Sequence, residues 1–444
     1  MKRIVLSNLR PPRSVVYWRW FPEAVQALLL AVFIALIAYG WGRYTPEGVN
    51  DKLYAKSNIV NLLVWGLWWP TMILAAVLQG RAWCAVCPLE LVSSVSESLT
   101  SRIGIPPRKV TRWMRAGWLI LLLYGVAQMM ISAAHMHRVP MYTSMYLLVM
   151  LVLSVLMGLF FRDRAYCRAL CPVGLLLKVY GRGGALAVRP SRPGLPADSR
   201  LSQTCRTLLN PIRLDRARGD ECLMCLDCVQ ADREEGRMQL QLRAPWNRHD
   251  QRPLLADWPV TLFIMMVSGF VTSEISGLSS AADAAFAWAP SHIGVFAGLG
   301  ASNGWIMGVW TIIIFPLLLW TVLGLVAMPF VRSRNLGAIW RSMALPVSLI
   351  IMAAHMTKAF EKLSTWGGYL PLALHDPAGE ATARGITEKV LAPPSALVGM
   401  PVILSIGTLL LIAALYVMRR ETGLHTASRT QDPCYACVGE SSNQ

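Results

Sequence analysis

Eight cysteines between residues 84 and 228 fall into spacings suited to iron-sulfur ligation: Cys84-x2-Cys87-Pro88, Cys167-x3-Cys171-Pro172, a lone Cys205, and Cys222-x2-Cys225-x2-Cys228. Three thiolates at the last spacing can wrap three corners of a cubane from one loop, and they are the first three ligands of the bacterial ferredoxin run. That run would continue with Cys and Pro at 232 and 233, where this chain carries Asp232 and Arg233. The fourth ligand therefore comes from elsewhere, or Asp232 ligates through oxygen. Zinc is the competing metal, because isolated Cys-x2-Cys pairs serve it equally well. Proline after two of the pairs and the three-cysteine run favour iron and sulfide. Cys434 and Cys437 follow Asp432 and Pro433 in a polar tail, where free thiols and a ligand pair for a delivered metal are equally good readings.

The elements that position these cysteines repeat. Trp83 precedes the first pair and Tyr166 the second; each pair ends in Pro and is followed by an apolar helical segment, Leu91, Val92, Val95 and Leu99 in one case and Leu175, Leu176, Leu177 and Val179 in the other. Proline suits a first helical turn, so the second cysteine of each pair is expected at a helix N-terminus, where the macrodipole favours thiolate. The helix after Pro88 is expected to lie along the membrane surface. Two such units in tandem suggest a duplicated half.

The rest of the chain is membrane. Of 444 residues, 55% are hydrophobic and 15% charged, against about 25% charged in soluble domains, which excludes a soluble globular enzyme. Apolar blocks near 21-41, 58-79, 116-134, 141-161, 256-275, 305-330, 342-357 and 396-418 predict eight transmembrane helices in an all-α integral membrane protein with a cytoplasmic ferredoxin-like iron-sulfur module. The expected divisions are a four-helix membrane region at 1-161, the iron-sulfur segment at 162-255, a second four-helix region at 256-418 and a tail at 419-444. Of the 42 Lys and Arg, 34 fall on the side of the N-terminus and 8 on the other. The positive-inside rule then places both termini in the cytoplasm. All ten cysteines share that reducing side, so structural disulfides are not expected. The net charge of +17 is explained by anionic lipid and needs no nucleic acid.

With Cys-Pro units after transmembrane helices and a ferredoxin-like run nearby, residues 58-230 resemble the membrane-bound ferredoxin-like 4Fe-4S family. That family includes the quinol-dehydrogenase membrane subunit of periplasmic nitrate reductase, the membrane regulator-maturation protein of nitrous oxide reductase and the accessory ferredoxin of methylamine dehydrogenase. The resemblance implies a multi-pass protein of the bacterial inner membrane that passes electrons between the quinone pool or a cytoplasmic donor and an exported redox enzyme or its accessory protein. A quinol-oxidising subunit would be its enzymatic form. It also implies two 4Fe-4S clusters on Cys84, Cys87, Cys167, Cys171, Cys205, Cys222, Cys225 and Cys228. By analogy with two-cluster ferredoxins, one cluster would take Cys171 with Cys222, Cys225 and Cys228, and the other Cys84, Cys87, Cys167 and Cys205. A membrane redox or metal sensor built on the same clusters is the alternative.

Electrons must also cross the bilayer, which directs attention to ionisable groups near its far side: His135 and His137, His355 near the end of the seventh span, and Glu274 near the end of the fifth. His135, His355 and Glu274 are expected to bind quinol, or a further redox cofactor, or to relay protons. Met136, Met141 and Met145 suit packing better than copper. The aromatic segments 276-304 and 358-395 would offer a docking surface on that side.

Overall fold

The computed structural model describes residues 4-9, 14-18, 20-105, 107-191, 204-205, 222-243, 245-246, 255-330 and 334-429. Cys434 and Cys437 lie outside these residues. Among the described residues, seven helices are long and apolar enough to cross a bilayer: Glu23–Gly40, Ile59–Gln79, Pro140–Phe160, Trp258–Ser276, Gly304–Ala327, Leu336–Gly367 and Met400–Arg420. The expected third span is the 16-residue helix Trp118–Ala133. Although short, it runs between the same two faces. Gly117 ahead of it packs on Pro259 at the start of the fifth span, and Ala133 at its end meets Gly304 at the start of the sixth.

Two spans carry π-helical segments, Leu62–Trp68 and Trp310–Ile314, just ahead of Pro70 and Pro316. A proline without an N–H leaves an upstream carbonyl unpaired, and a local widening of the helix absorbs the mismatch. The seventh span continues well past the expected 357, to Gly367. The apolar pattern ends there, but Lys358 and Glu361 pair at 3.0 Å across one turn, and Trp366 is buried against Gly66 of the second span. The segment after the fifth span is not a loop but the helix Ser280–Phe296.

Beside the helices stands a small antiparallel sheet of strands β1 (Ile4–Val5), β2 (Leu186–Pro190) and β3 (Met238–Leu242), ordered β1-β3-β2, with Ile4 opposite Leu242 and Val188 opposite Leu240. Val16, Val188, Met224, Leu226, Val229, Met238 and Leu240 form an apolar cluster beneath it, which docks the three-cysteine loop. Gln230 Nε2 donates to the carbonyls of Val16 and Phe21, tying that loop to the N-terminal segment.

Both Cys-Pro units turn back into the bundle. After the second span the chain reverses at Gly80, whose φ of 72° favours glycine. A Cβ on Gly184 would approach Gly80 N to 2.3 Å, so the two units meet here backbone to backbone. Trp83 then packs against Trp68, with ring centroids 5.8 Å apart. Trp68 is eleven residues before the end of its helix, about 16 Å at 1.5 Å per residue. After the fourth span the reversal uses Asp163 and Arg164, both left-handed with φ of 68° and 55°, and the Tyr166 hydroxyl reaches Met150 Sδ at 3.5 Å.

The Pro88–Arg102 helix does not lie free on the membrane surface. Its Leu89 carbonyl accepts from Ser154 Oγ, six residues inside the end of the fourth span, or about 9 Å. Its buried face is Glu90, Ser93, Ser96 and Thr100, while Val95 and Leu99 point outward. Small polar side chains permit this close approach: a Cβ on Gly158 would come within 2.3 Å of Ser93 O. Gly158→Val is expected to separate the two helices and lower the thermal midpoint in detergent by several degrees, as overpacking by about 1–3 kcal/mol does. Gly399→Ala is the control, because its Cβ would find nothing nearer than Pro401 Cδ at 3.7 Å. Equal midpoints for the two variants would refute this packing.

Candidate metal centre

Eight cysteines fall within the described residues and none is in a disulfide; Cys84, Cys167, Cys205, Cys225 and Cys228 are buried and Cys87, Cys171 and Cys222 partly so. Their electrostatic neighbours divide them into two quartets. Burial, then the charges of Cys171 and Cys84, push the Cys87 thiol up. Burial, then Cys87, Cys171, Glu90 and Cys84, hold Cys167 well above the usual thiol range. Cys171 is pushed up to about 12 by burial and next by Cys84. In the second set burial raises Cys222, with Cys205 adding to it. Cys228 lies well above its usual range through burial and then Cys225, Cys222 and Cys205.

The quartets are therefore Cys84, Cys87, Cys167 and Cys171, and Cys205, Cys222, Cys225 and Cys228. This grouping differs from the partition drawn from two-cluster ferredoxins, because Cys171 stands with the two Cys-Pro units and Cys205 with the three-cysteine loop. The physical reason is the double re-entry, which brings both Cys-Pro pairs to one place inside the bundle. Asp232 is also removed as a ligand. Its buried carboxylate accepts from Arg237 Nε at 2.9 Å and from the Met238 backbone N–H at 2.7 Å, which leaves it fixing the start of β3.

Cys87 does take the N-cap position of the Pro88–Arg102 helix, without a side-chain cap bond; the Glu90 N–H donates to its carbonyl, and the nearby Leu89 and Glu90 amides act to lower the thiol. Val173 and Gly174 amides do the same for Cys171. Yet burial outweighs these dipoles in every case above, so the protein alone holds these groups as thiols. Four buried thiolates become tenable only when a strongly positive metal core replaces the lost protons. Among the described residues no three His, Cys, Asp or Glu converge to hold a single ion; all-thiol donor sets of four are what a cubane takes.

Charged groups that the spacing of the cysteines did not reveal surround the quartets. Arg164, buried in its left-handed turn, pairs with Glu90 at 3.0 Å and Asp227 at 3.5 Å. Gln26 Nε2 donates to Glu90 Oε2 at 2.8 Å. Arg81 faces Cys171 in one quartet and Cys222 in the other. With Arg115, Arg168 and Lys178 it also lines a cavity of about 230 Å³ that has Cys167 in its wall.

The far-side candidates do not form one site. His135 lies close to His137, with ring centroids 6.5 Å apart. Burial, then Lys362 and Arg138, hold His137 well below the ordinary histidine value, and burial followed by Arg138 lowers His135. Glu274 faces Arg138 and Lys362 at the same end. His355 lies deeper in the bundle, about two turns before Lys362 on the same helix, and shares that lysine as a neighbour with His137 and Glu274. It is buried at mid-helix, not at an interface, and its Nδ1 lies 3.0 Å from the Tyr180 hydroxyl. Tyr180 closes the helix that follows Cys171 and Pro172, so this histidine touches an element of the second Cys-Pro unit. The only hint in the sequence was the tyrosine's position at the end of an apolar run.

A family profile described as a 4Fe-4S binding domain matches residues 61–106 and 143–193. Each stretch covers most of a span, its re-entrant Cys-Pro unit and the helix beyond. The chain resembles membrane-bound ferredoxin-like 4Fe-4S proteins. It is 23% identical over 299 residues to YccM of Escherichia coli (strain K12), named for a proposed role in electron transport, covering 57% of this chain and 83% of that protein. It is 26% identical over 226 residues to Protein NirI of Paracoccus denitrificans (strain Pd 1222), covering 44% of this chain and 32% of the relative. No solved structure matches. The all-α membrane architecture with its 4Fe-4S binding segments thus agrees with the reading from sequence.

Proposed function

We propose that this protein carries electrons in the bacterial inner membrane, between the quinone pool or a cytoplasmic donor and an exported redox enzyme or its maturation. Two 4Fe-4S clusters, held by Cys84, Cys87, Cys167 and Cys171 and by Cys205, Cys222, Cys225 and Cys228, would supply reversible one-electron chemistry. The observation that supports this reading is the grouping of the eight described cysteines into two largely buried sets of electrostatic neighbours, four thiols each. Likeness to a protein named for electron transport supports the same class. The chain's own part is to bury the ligands, exclude water and place the first quartet inside the bundle. His135 and Glu274 at the far end and His355 within the bundle are the groups proposed to meet quinol or relay its protons.

Anaerobically purified protein should contain about eight iron and eight acid-labile sulfide per chain and give cubane EPR signals on reduction. Stoichiometric zinc without sulfide would end this reading. Reversible reduction by a quinol analogue is expected of a carrier; its absence, with clusters intact, would transfer preference to a sensor.

Orientation is proposed from the 34 to 8 division of basic residues. Val390 and Ile105 are both exposed, at 82% and 61%, on opposite faces. In intact cells a reagent that cannot cross the inner membrane should label a Val390→Cys variant and leave Ile105→Cys unlabelled until lysis. The reverse pattern would invert the topology.

A further inference from the structure

Arg164 stands between the two quartets. Its guanidinium is felt by Cys225 of one, and its own electrostatic partners are Cys225, Glu90, Asp227 and Cys167. Each carboxylate it holds belongs to a different cysteine motif: Glu90 follows Cys87-Pro88, and Asp227 lies between Cys225 and Cys228. Arg164 itself immediately precedes the Cys167 motif. All three cysteine motifs therefore meet on one buried cation. Arginine suits this place because its planar fork reaches two carboxylates at once and keeps its charge at any working pH. A buried cation is expensive unless paired, and Glu90 is itself braced by Gln26 from the first span.

We propose that Arg164 is a positioning residue that locks the three cysteine motifs to one another and sets its charge between the quartets, so that a cluster bound in either is easier to reduce than it would be without it. The inference rests on the two-cluster reading above and concerns a different property. A cluster gains negative charge on reduction, so a fixed cation nearby stabilises the reduced form, and nearby charge is one of the recognised settings of such potentials. Glu90 opposes the effect: it faces Cys167 as well as Arg164.

The experiment is a redox titration followed by EPR on anaerobically purified full-length protein, with iron and sulfide measured on every sample. Arg164→Gln should keep its iron and lower the reduced-to-oxidised ratio about tenfold at a fixed potential, equivalent to about 59 mV for one electron. Arg164→Lys keeps the charge and should stay near the parent. Glu90→Gln should shift the ratio in the opposite direction. If Arg164→Gln loses iron, the opposite shift in Glu90→Gln still decides the matter. Full iron with unchanged ratios in both neutral variants would overturn the role of Arg164 and leave the cluster reading standing. A parent protein without iron and sulfide would overturn both.

Discussion

Cys205→Ala is expected to remove about half of the iron and sulfide and the same EPR signal that Cys225→Ala removes, whereas Cys171→Ala removes the signal lost with Cys84→Ala. The alternative partition, with Cys171 completing the three-cysteine loop, predicts the reverse coupling: Cys171→Ala and Cys225→Ala would then abolish one signal together. The two arrangements have the same ligand count, so total iron cannot separate them, but pairwise comparison of the remaining signals can. The expectation follows from position. Cys167 responds to Cys87, Cys171 and Cys84, and Cys228 to Cys225, Cys222 and Cys205, with no cysteine shared between the sets. Loss of a ligand removes a whole cluster because three thiols, all tending to reprotonate when buried, hold the metal core far less well than four. Retention of full iron in Cys205→Ala would break the second quartet.

Tyr180→Phe and His355→Ala are expected to leave iron content unchanged and to slow equilibration of the reduced protein with a quinol analogue by about tenfold or more, a barrier change of roughly 1.4 kcal/mol. The hydroxyl and Nδ1 of this buried pair are 3.0 Å apart, and the Phe270 ring centroid is 6.0 Å from that of His355. His355 lies fourteen residues along its helix from Arg341, which bonds Ala256 at the start of the fifth span; at 1.5 Å per residue that is about 21 Å into a hydrocarbon layer of about 30 Å. With the first Cys-Pro unit re-entering about 9 Å at Leu89, the distance a mobile quinol must serve is shorter than a surface-bound cluster would leave. Phe at 180 removes the hydroxyl but keeps the ring, so it separates proton relay from packing. Parent-like rates in both variants would exclude the pair from the path.

The chemistry itself was legible in residue order. Cysteine spacing, the prolines at 88 and 172 and the aromatics at 83 and 166 announced iron-sulfur ligation and a repeated unit, because ligand spacing and first-turn proline are local properties of a short loop. Length and apolarity announced the spans, because a bilayer imposes its thickness on any helix that crosses it. What lay beyond sequence were properties set by long-range approach. Periodicity read the Pro88–Arg102 helix as a surface element from its outward Val95 and Leu99, and could not show that its serine face fits against Gly158 and draws Cys87 inside the bundle. The apolar window ended the seventh span at 357, since a hydropathy average does not register the Lys358–Glu361 pair or the Trp366 contact that continue it. That error made His355 an interfacial residue when it is a buried partner of Tyr180. Which cysteines become electrostatic neighbours, and that Arg164 joins their motifs, was decided by two chain reversals, at Gly80 and at Asp163–Arg164, whose left-handed backbone brings residues eighty positions apart into one neighbourhood.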